Sequence, residues 1–285
     1  MGTMSCCQDV SDSPVELNSD IVTIYASLEP ETTVKNVIDD VSKKVTWLSG
    51  DAINVFFGAS ESSRFVTENS GEIAQFKGSI NVVTGGGEGL NDDTSLWGIY
   101  PYDESNTCNG TQITLTLPSL QDPAENTFAN GLFPQIARSW NFYMTFYNLC
   151  GCIKFSVENP DIKFVTLESN DNEAIAGKVL VSMDGSIPVV DEIISSETKL
   201  TMHAPDNGYF KPGVNYYFVL LPTEFSKGMT VTYYKDNSAA SYVYSKSYTL
   251  LRNKVATFNN RDADLTFESR TLNSWEEGET IGGEI

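Results

Sequence analysis

Asp39-Asp40, Asp92-Asp93 and Glu276-Glu277 are pairs of adjacent carboxylates in this 285-residue chain whose side chains could do acid–base chemistry. Two carboxyl groups can act as general acid and general base, or as the catalytic pair of a glycosidase. Adjacent positions in a strand point apart, however, so the two groups would not face one bond. His203, the single histidine, has no nucleophile or aspartate partner suggested near it in sequence. We therefore predict no catalytic residue and no enzymatic activity.

The sequence also predicts neither a metal nor a cofactor. The glycine-rich run 85–89 lacks the lysine, the hydroxyl residue and the helix of a phosphate loop, so a hairpin connection is expected. Residues 171–173 and 262–264 lack the ligand spacing of a calcium-binding loop. With one histidine and no Cys-x-x-Cys pair, the sequence does not support a zinc site.

The sequence leaves two questions about the cysteines, namely disulfide pairing and lipidation. Cys150 and Cys152 would share one face of a strand and could not easily bridge each other, but either could pair with Cys108 in an oxidising compartment. We predict that both are buried as small apolar residues. Near the start, Cys6 follows a small serine and precedes a polar, acidic stretch, as at the end of a bacterial lipoprotein signal. Cys6 is the expected lipidation site, and an unmodified cysteine is the alternative.

Composition limits the class of protein and its partners. The net charge is −20, which argues against nucleic acid because phosphate binding requires clustered Lys and Arg. Hydrophobic residues make up 40% of the chain, which is enough to bury a core in one large or two ordinary domains. No apolar run approaches the roughly 20 residues of a membrane helix.

The sequence predicts short β-strands separated by Gly, Asn, Asp, Ser or Pro clusters. Such punctuation is typical of β-sandwiches, and we place a boundary between two of them near Ser139. The predicted organisation is a tail over 1–20, a sandwich over 21–139 and a second sandwich over 140–285. The predicted strands are 21–28, 52–57, 73–80, 96–100, 112–117, 142–157, 164–168, 176–182, 199–203, 216–221, 230–235 and 242–250.

The first predicted strand, 21–28, stands apart from the rest. A polar connector separates it from the turn at Trp47, and that connector carries the lysines Lys35, Lys43 and Lys44. This order predicts a β-protein whose first strand could be cut away.

A set of motifs recurs in a definite order from about residue 21 to residue 252. The motifs are Trp47-x-x-Gly50-Asp51-x-Ile53-x-Val55, Gly98-Ile99-Tyr100-Pro101-Tyr102, Leu117-Pro118-x-x-Gln121, Phe146-Tyr147-Asn148-x-Cys150-x-Cys152-Ile153-Lys154-Phe155, Ala174-Ile175-Ala176-Gly177, Phe210-Lys211-Pro212-Gly213-x-x-Tyr216-Tyr217-Phe218-Val219-Leu220-Leu221-Pro222 and Leu251-Arg252-Asn253-Lys254. In these motifs and their order the chain resembles the fimbrillin (Mfa-like) family of Bacteroides-type bacteria.

The resemblance implies an all-β fold of two transthyretin-like β-sandwich domains in tandem. It also implies an outer-membrane lipoprotein that becomes a subunit of a type V pilus (fimbria) with a role in adhesion. In this family a trypsin-like protease removes the N-terminal strand, and subunits then polymerise head to tail by donor-strand exchange. Other pilin subunits and the protease are the implied partners. No cofactor is implied.

Two details of that assembly can be placed on this chain. The cut is expected first at Lys35 and second at Lys43 or Lys44, although the connector has no arginine. The alternative is that these are solvated linker lysines of a subunit that is never cut. By the resemblance, the donor strand would come from the C-terminal end, 265–285, which is more acidic than a groove-filling strand should be.

A monomeric surface lipoprotein that binds carbohydrate or a host protein is the alternative function. Tyrosines that are exposed on strands could stack on sugars, although strand aromatics more often pack in the core or against a neighbouring strand. The candidate tyrosines are Tyr100, Tyr102, Tyr233, Tyr234, Tyr242 and Tyr244.

Overall fold

The structure, a computed structural model, describes residues 21–29, 46–79 and 95–269. In these ranges the chain forms β-strands and a single short 3-10 helix, Pro205–Asn207. The predicted all-β class is confirmed.

The strands are short, and most alternate between buried and exposed side chains. In chain order they are β1 (Ile21–Leu28), β2 (Ala52–Phe57), β3 (Ser63–Thr67), β4 (Ile73–Ser79), β5 (Leu96–Tyr100), β6 (Thr107–Cys108), β7 (Ile113–Leu117), β8 (Leu120–Gln121), β9 (Gln135–Ser139), β10 (Tyr143–Asn148), β11 (Gly151–Ser156), β12 (Phe164–Ser169), β13 (Gly177–Asp184), β14 (Ile187–Ile193), β15 (Lys199–His203), β16 (Tyr216–Leu220), β17 (Thr223–Phe225), β18 (Met229–Tyr234), β19 (Ser238–Tyr244), β20 (Tyr248–Leu250), β21 (Val255–Asn259) and β22 (Glu268–Ser269).

Seven strands form a closed barrel in the order β1-β10-β9-β5-β2-β3-β4, with β4 returning to β1. Alternation builds its interior: in β4, Ala74 and Phe76 are buried, whereas Ile73 and Gln75 point outward. The inward side chains form a single apolar cluster with Trp47 inside it. Closure leaves the barrel with no free sheet edge.

The remaining strands surround a second and larger apolar core. Their sheets run β16-β11-β21, β22-β19-β18-β12-β15-β8, β14-β13-β7-β6 and β17-β20. Gln121 ties two of these sheets together, because its side-chain amide donates to the Val219 carbonyl and accepts from the Val219 amide at 2.6 and 2.9 Å. The buried Gln121 side chain therefore pairs with the backbone of β16 as a neighbouring strand would.

Strand pairing crosses the predicted boundary near Ser139. β10 follows that boundary yet closes the barrel against β1 and β9, and β7 precedes it yet pairs with β13. Chain position alone therefore does not separate the sheets, and the division into 21–139 and 140–285 remains a prediction.

Two long predicted strands are each two strands in the structure. The segment 142–157 breaks at Leu149 and Cys150, where the chain leaves the barrel and enters the second core. At the break, the Leu149 amide donates to the Pro134 carbonyl, and the Cys150 carbonyl accepts from the Asn253 amide. The segment 242–250 likewise divides between β19 and β20, which belong to different sheets.

Candidate functional site

β1 is hydrogen-bonded on both sides. It runs antiparallel to β4, from Ile21 opposite Ser79 to Ser27 opposite Ile73, and parallel to β10, from Tyr25 opposite Tyr143 to Leu28 opposite Phe146. In the strand order of the barrel, β1 is the element that joins β4 to β10. Without β1 the barrel would be open along a groove with two unpaired edges.

The sequence of β1 suits this place. Ile24 and Ala26 are fully buried, and Val22 and Leu28 pack at the rim of the same cluster, so every second side chain faces inward. Burying an isoleucine contributes about 1.5–3 kcal/mol. On the outer face, the Tyr25 ring stacks on Tyr143 at a centroid distance of 4.9 Å.

Trp47 lies beneath β1 and holds it through the backbone. Its indole N–H donates to the Ala26 carbonyl at 3.2 Å, and its ring meets Phe76, Tyr100 and Phe146 edge-on at 5.0–5.3 Å. The ring is 1% exposed. A buried N–H that loses its acceptor is costly, so Trp47 favours an occupied groove.

The turn after Trp47 explains the Gly-Asp part of the motif. Gly50 has φ +95°, a conformation that side chains disfavour, and the Asp51 carboxylate caps the turn by accepting from the Leu48 amide at 2.8 Å. The Tyr100 hydroxyl donates to the same carboxylate at 3.3 Å. Burial and the Asp51 charge together raise the pKa of Tyr100. The turn thus fixes Trp47 against the start of β2.

The end of β1 is clamped by Arg252, which lies in the turn after β20. Glu29 forms an ion pair with Arg252, and its Oε2 atom also accepts from the Asn148 amide at 3.1 Å. The Arg252 Nε donates to the Asn148 carbonyl at 2.8 Å. The side chains of Glu29 and Arg252 are 11% and 21% exposed, so the pair is mostly shielded from water.

We expect Trp47→Phe to lower the free energy of unfolding by about 1–3 kcal/mol, because it removes a buried hydrogen bond and part of a ring from a packed site. Urea denaturation measures this loss. Trp97→Phe is the matched control, since Trp97 is equally buried and donates to the Gly110 carbonyl away from β1. After a cut in the connector, Trp47→Phe should speed release of β1, and Trp97→Phe should not. Equal release rates would contradict the role of Trp47.

Several residues predicted to matter lie outside the described residues. They are the processing candidates Lys35, Lys43 and Lys44 and the lipidation candidate Cys6. The carboxylate pairs at 39–40, 92–93 and 276–277, for which no catalytic role is predicted, also lie outside them. These predictions stay predictions. The connector nevertheless begins directly after Glu29 and ends before Trp47, and both of these residues contact β1 or its end.

The three cysteines in the described ranges are free thiols. Cys150 and Cys152 are fully buried in the second core, as predicted, and burial raises the pKa of both. Cys108 is half-buried at the edge of that core, and burial raises its pKa as well. These thiols serve packing in this structure.

The candidate stacking tyrosines do not form an exposed platform. Tyr233 and Tyr234 are buried, and Tyr242 and Tyr244 each meet Phe258 edge-on. Tyr100 is half-buried with its hydroxyl on Asp51, and Tyr102 is half-buried beside Arg64. The expectation of exposure was wrong for the first two because both faces of β18 are covered.

His203 is exposed on β15 with its ring stacked on Phe164. Within 21–29, 46–79 and 95–269, no group of three His, Cys, Asp or Glu side chains is arranged to hold a metal ion. The same ranges contain no helix with the length and hydrophobicity needed to cross a membrane.

The proposed donor segment, 265–285, is partly engaged in its own chain. Leu265 and Phe267 pack against the second core, and β22 pairs with β19. Residues 270–285 lie outside the described part of the chain. A donor strand taken from this end would therefore have to come from residues after 269.

Sequence reasoning missed Glu29 and gave Arg252 no role. Arg252 belongs to the Leu251-Arg252-Asn253-Lys254 motif, which was its only signal. Nothing local marks Glu29 as its partner, since the two residues are 223 positions apart.

A solved structure shares this fold, and two others align with lower scores. A "putative cell adhesion protein" from Bacteroides ovatus ATCC 8483 aligns with a TM-score of 0.52 at 13% identity, over 89% of this chain and 96% of that chain. A second protein of that description, from Bacteroides thetaiotaomicron VPI-5482, gives 0.41 at 11% identity over 85% and 92%. The tip fimbrial protein Mfa3 of Porphyromonas gingivalis, with a C-terminal truncation, gives 0.40 at 8% over 87% and 98%.

No family model and no curated protein matches the sequence. The likeness to the first Bacteroides ovatus protein extends over most of both chains, so the two share a fold. The all-β class that the resemblance implied is confirmed, and the tandem of two transthyretin-like domains stays a prediction.

Proposed function

We propose that this chain is a subunit of a bacterial surface pilus, assembled when proteolysis releases β1 and a strand of the next subunit takes its place. The position of β1 carries the proposal: it is paired on both sides within a closed barrel, yet a single cut in the connector would turn it into a separate peptide. The motif resemblance, and a fold shared with a protein described as a putative cell adhesion protein, support a role in adhesion.

The physical chemistry of the vacated groove favours replacement. Loss of β1 would leave backbone groups of β4 and β10 unpaired and would expose Phe76, Met144 and Phe146 to water. A strand from another subunit restores the ladders and covers these side chains. Each subunit would accept one strand and donate another, and such a head-to-tail contact extends into a filament because it does not close.

The proposal includes the cell surface as the location, with Cys6 as the acylated residue of an exported lipoprotein. The processing protease would be trypsin-like, and Lys35 followed by Lys43 or Lys44 are the proposed cut sites. The segment after residue 269 is the proposed donor.

Limited trypsin digestion of the full chain tests this function. We expect cleavage in the connector, with new N-termini at Asn36, Lys44 or Val45, followed by growth into oligomers seen by size-exclusion chromatography and electron microscopy. The variant Lys35→Gln/Lys43→Gln/Lys44→Gln is the control and should remain monomeric.

Polymers that retain an intact segment 1–44 would contradict cleavage-dependent assembly. A cleaved chain that stays monomeric, together with specific glycan binding by the uncut monomer, would favour the alternative of a carbohydrate-binding surface protein.

A further inference from the structure

One end of the groove has a polar site, separate from the apolar side chains that line the groove. Arg252 and the backbone amide of Asn148 converge on one carboxylate oxygen of Glu29, the residue directly after β1. Asn148 is itself fixed, because its side chain accepts from Gln135 at 2.9 Å and donates to Asn253 at 2.7 Å. The two donors are therefore held in place by residues other than Glu29.

Removal of β1 would leave this polar site without the Glu29 carboxylate. Each predicted cut site lies after Glu29, so Glu29 would depart with the strand. Arg252 would keep its hydrogen bond to the Asn148 carbonyl but would lose its counter-charge. The guanidinium and the Asn148 amide can then make charge-assisted hydrogen bonds to another carboxylate, so the vacated groove would attract one.

The alternation of β1 and its backbone hydrogen bonds define its register only to within two residues. A slip of one residue would turn the apolar face outward, which the groove rejects. A slip of two residues keeps the same face inward and restores the backbone ladders, and the bond from Trp47 reaches a backbone carbonyl that any residue offers. Such a slip moves a side chain by about 6.6 Å, which is far outside ion-pair range of Arg252.

We propose that Arg252 and the Asn148 amide form a carboxylate-binding stop that sets the register of the strand occupying the groove. The occupant it selects is an extended segment of a second polypeptide with apolar residues at alternate positions, a small one at the position of Ala26, and Asp or Glu at the position of Glu29. This inference rests on the proposed function, since it concerns the strand that replaces β1.

Competition between two peptides on the nicked full chain tests the stop. The chain is cut in the connector and incubated with equal amounts of two amidated peptides of sequence 21–29, one carrying Glu29 and one, isotopically labelled, carrying Glu29→Gln. Native mass spectrometry then measures occupancy. We expect the Glu29 peptide to be preferred about tenfold or more, a charge-assisted hydrogen-bond effect. In Arg252→Gln the preference should vanish.

Arg261→Gln is the matched control, because Arg261 is an exposed arginine beyond the other end of β21, and it should keep the full preference. A peptide with its carboxylate moved by two residues should lose to the Glu29 peptide in the unchanged chain.

The outcomes separate the two proposals. Uptake of both peptides without preference overturns the stop and leaves strand replacement intact. Uptake of neither peptide overturns strand replacement and the stop together, and a preference that survives Arg252→Gln overturns the assignment to Arg252.

A second measurement does not depend on the nicked chain. In the intact chain, Glu29→Gln and Arg252→Gln should be coupled about fivefold or more in the unfolding equilibrium of a double-mutant cycle. Additive effects would overturn the stop.

Discussion

Ile24→Asp is expected to lower the free energy of unfolding by about 4 kcal/mol or more, because it places a carboxylate at a fully buried position of β1. Ile24 lies opposite Phe76 in β4 and inside the apolar cluster of the barrel, where the described contacts offer the new charge no partner. Urea denaturation followed by tryptophan fluorescence measures the loss.

Ile21→Asp is the matched control for this prediction. It makes the same substitution in the same strand at a side chain that is 74% exposed, and we expect a change of about 0.5 kcal/mol or less. Similar losses in the two variants would show that β1 does not occupy the groove in solution as it does in the structure.

Uptake of an added peptide distinguishes release of β1 alone from unfolding of the whole barrel. If β1 is the removable element, Ile24→Asp should let the intact chain take up a peptide of sequence 21–29 without any cut, because its own strand is ejected. Ile21→Asp should not. Loss of the whole barrel with no peptide uptake would indicate that the barrel cannot persist without β1.

Gly228→Ala is the second substitution for which we expect a large loss, about 4 kcal/mol or more. Gly228 precedes β18 at φ +77°, and a Cβ atom built on it would lie 1.8 Å from the Tyr244 carbonyl oxygen. That oxygen belongs to backbone at the end of β19, which is paired with β18, so it cannot move without disturbing the ladder.

Gly213→Ala separates the close approach from the backbone conformation. Gly213 has a nearly identical φ of +74°, but a Cβ atom there meets nothing within 4 Å. We expect a loss of about 1–2 kcal/mol from the left-handed conformation alone. Equal losses in thermal or urea unfolding would show that contact with Tyr244 is unimportant at Gly228.

The strands with clear alternation were predicted well from the sequence. The bounds of β1, β2, β5 and β15 agree with the predicted segments residue for residue. β1 shows why: a β-branched run at its start and small or apolar residues at every second place make the pattern local.

Strands with a mixed pattern were missed, and β9 is the clearest case. It has the sequence Gln-Ile-Ala-Arg-Ser, with polar residues at both ends, and no strand is predicted there. In the structure the Gln135 amide bonds to Asn148, and Arg138 lies over the Trp97 ring and bonds to Ser95. These partners, distant in sequence, let polar residues enter a buried strand. β3, β14 and β21 were also missed.

Some features of the candidate site were likewise predicted from the sequence, and others were not. The prediction that β1 could be cut free came from the order of strand, lysine-bearing connector and Trp47 turn, and it stays a prediction. That its end is clamped by Arg252 was not predicted, because the ion pair depends on how the barrel lies against the loop after β20.

The sequence by itself determined that this is an all-β chain whose first strand, 21–28, is followed by a polar, lysine-bearing connector. Those features follow from local periodicity and turn chemistry. The tertiary structure decided that β1 lies between β4 and β10, that Trp47 reaches the Ala26 carbonyl, and that Glu29 meets Arg252. Pairing between strands and closure of a barrel depend on contacts between residues far apart in sequence, and a local pattern carries no information about which partner each edge receives.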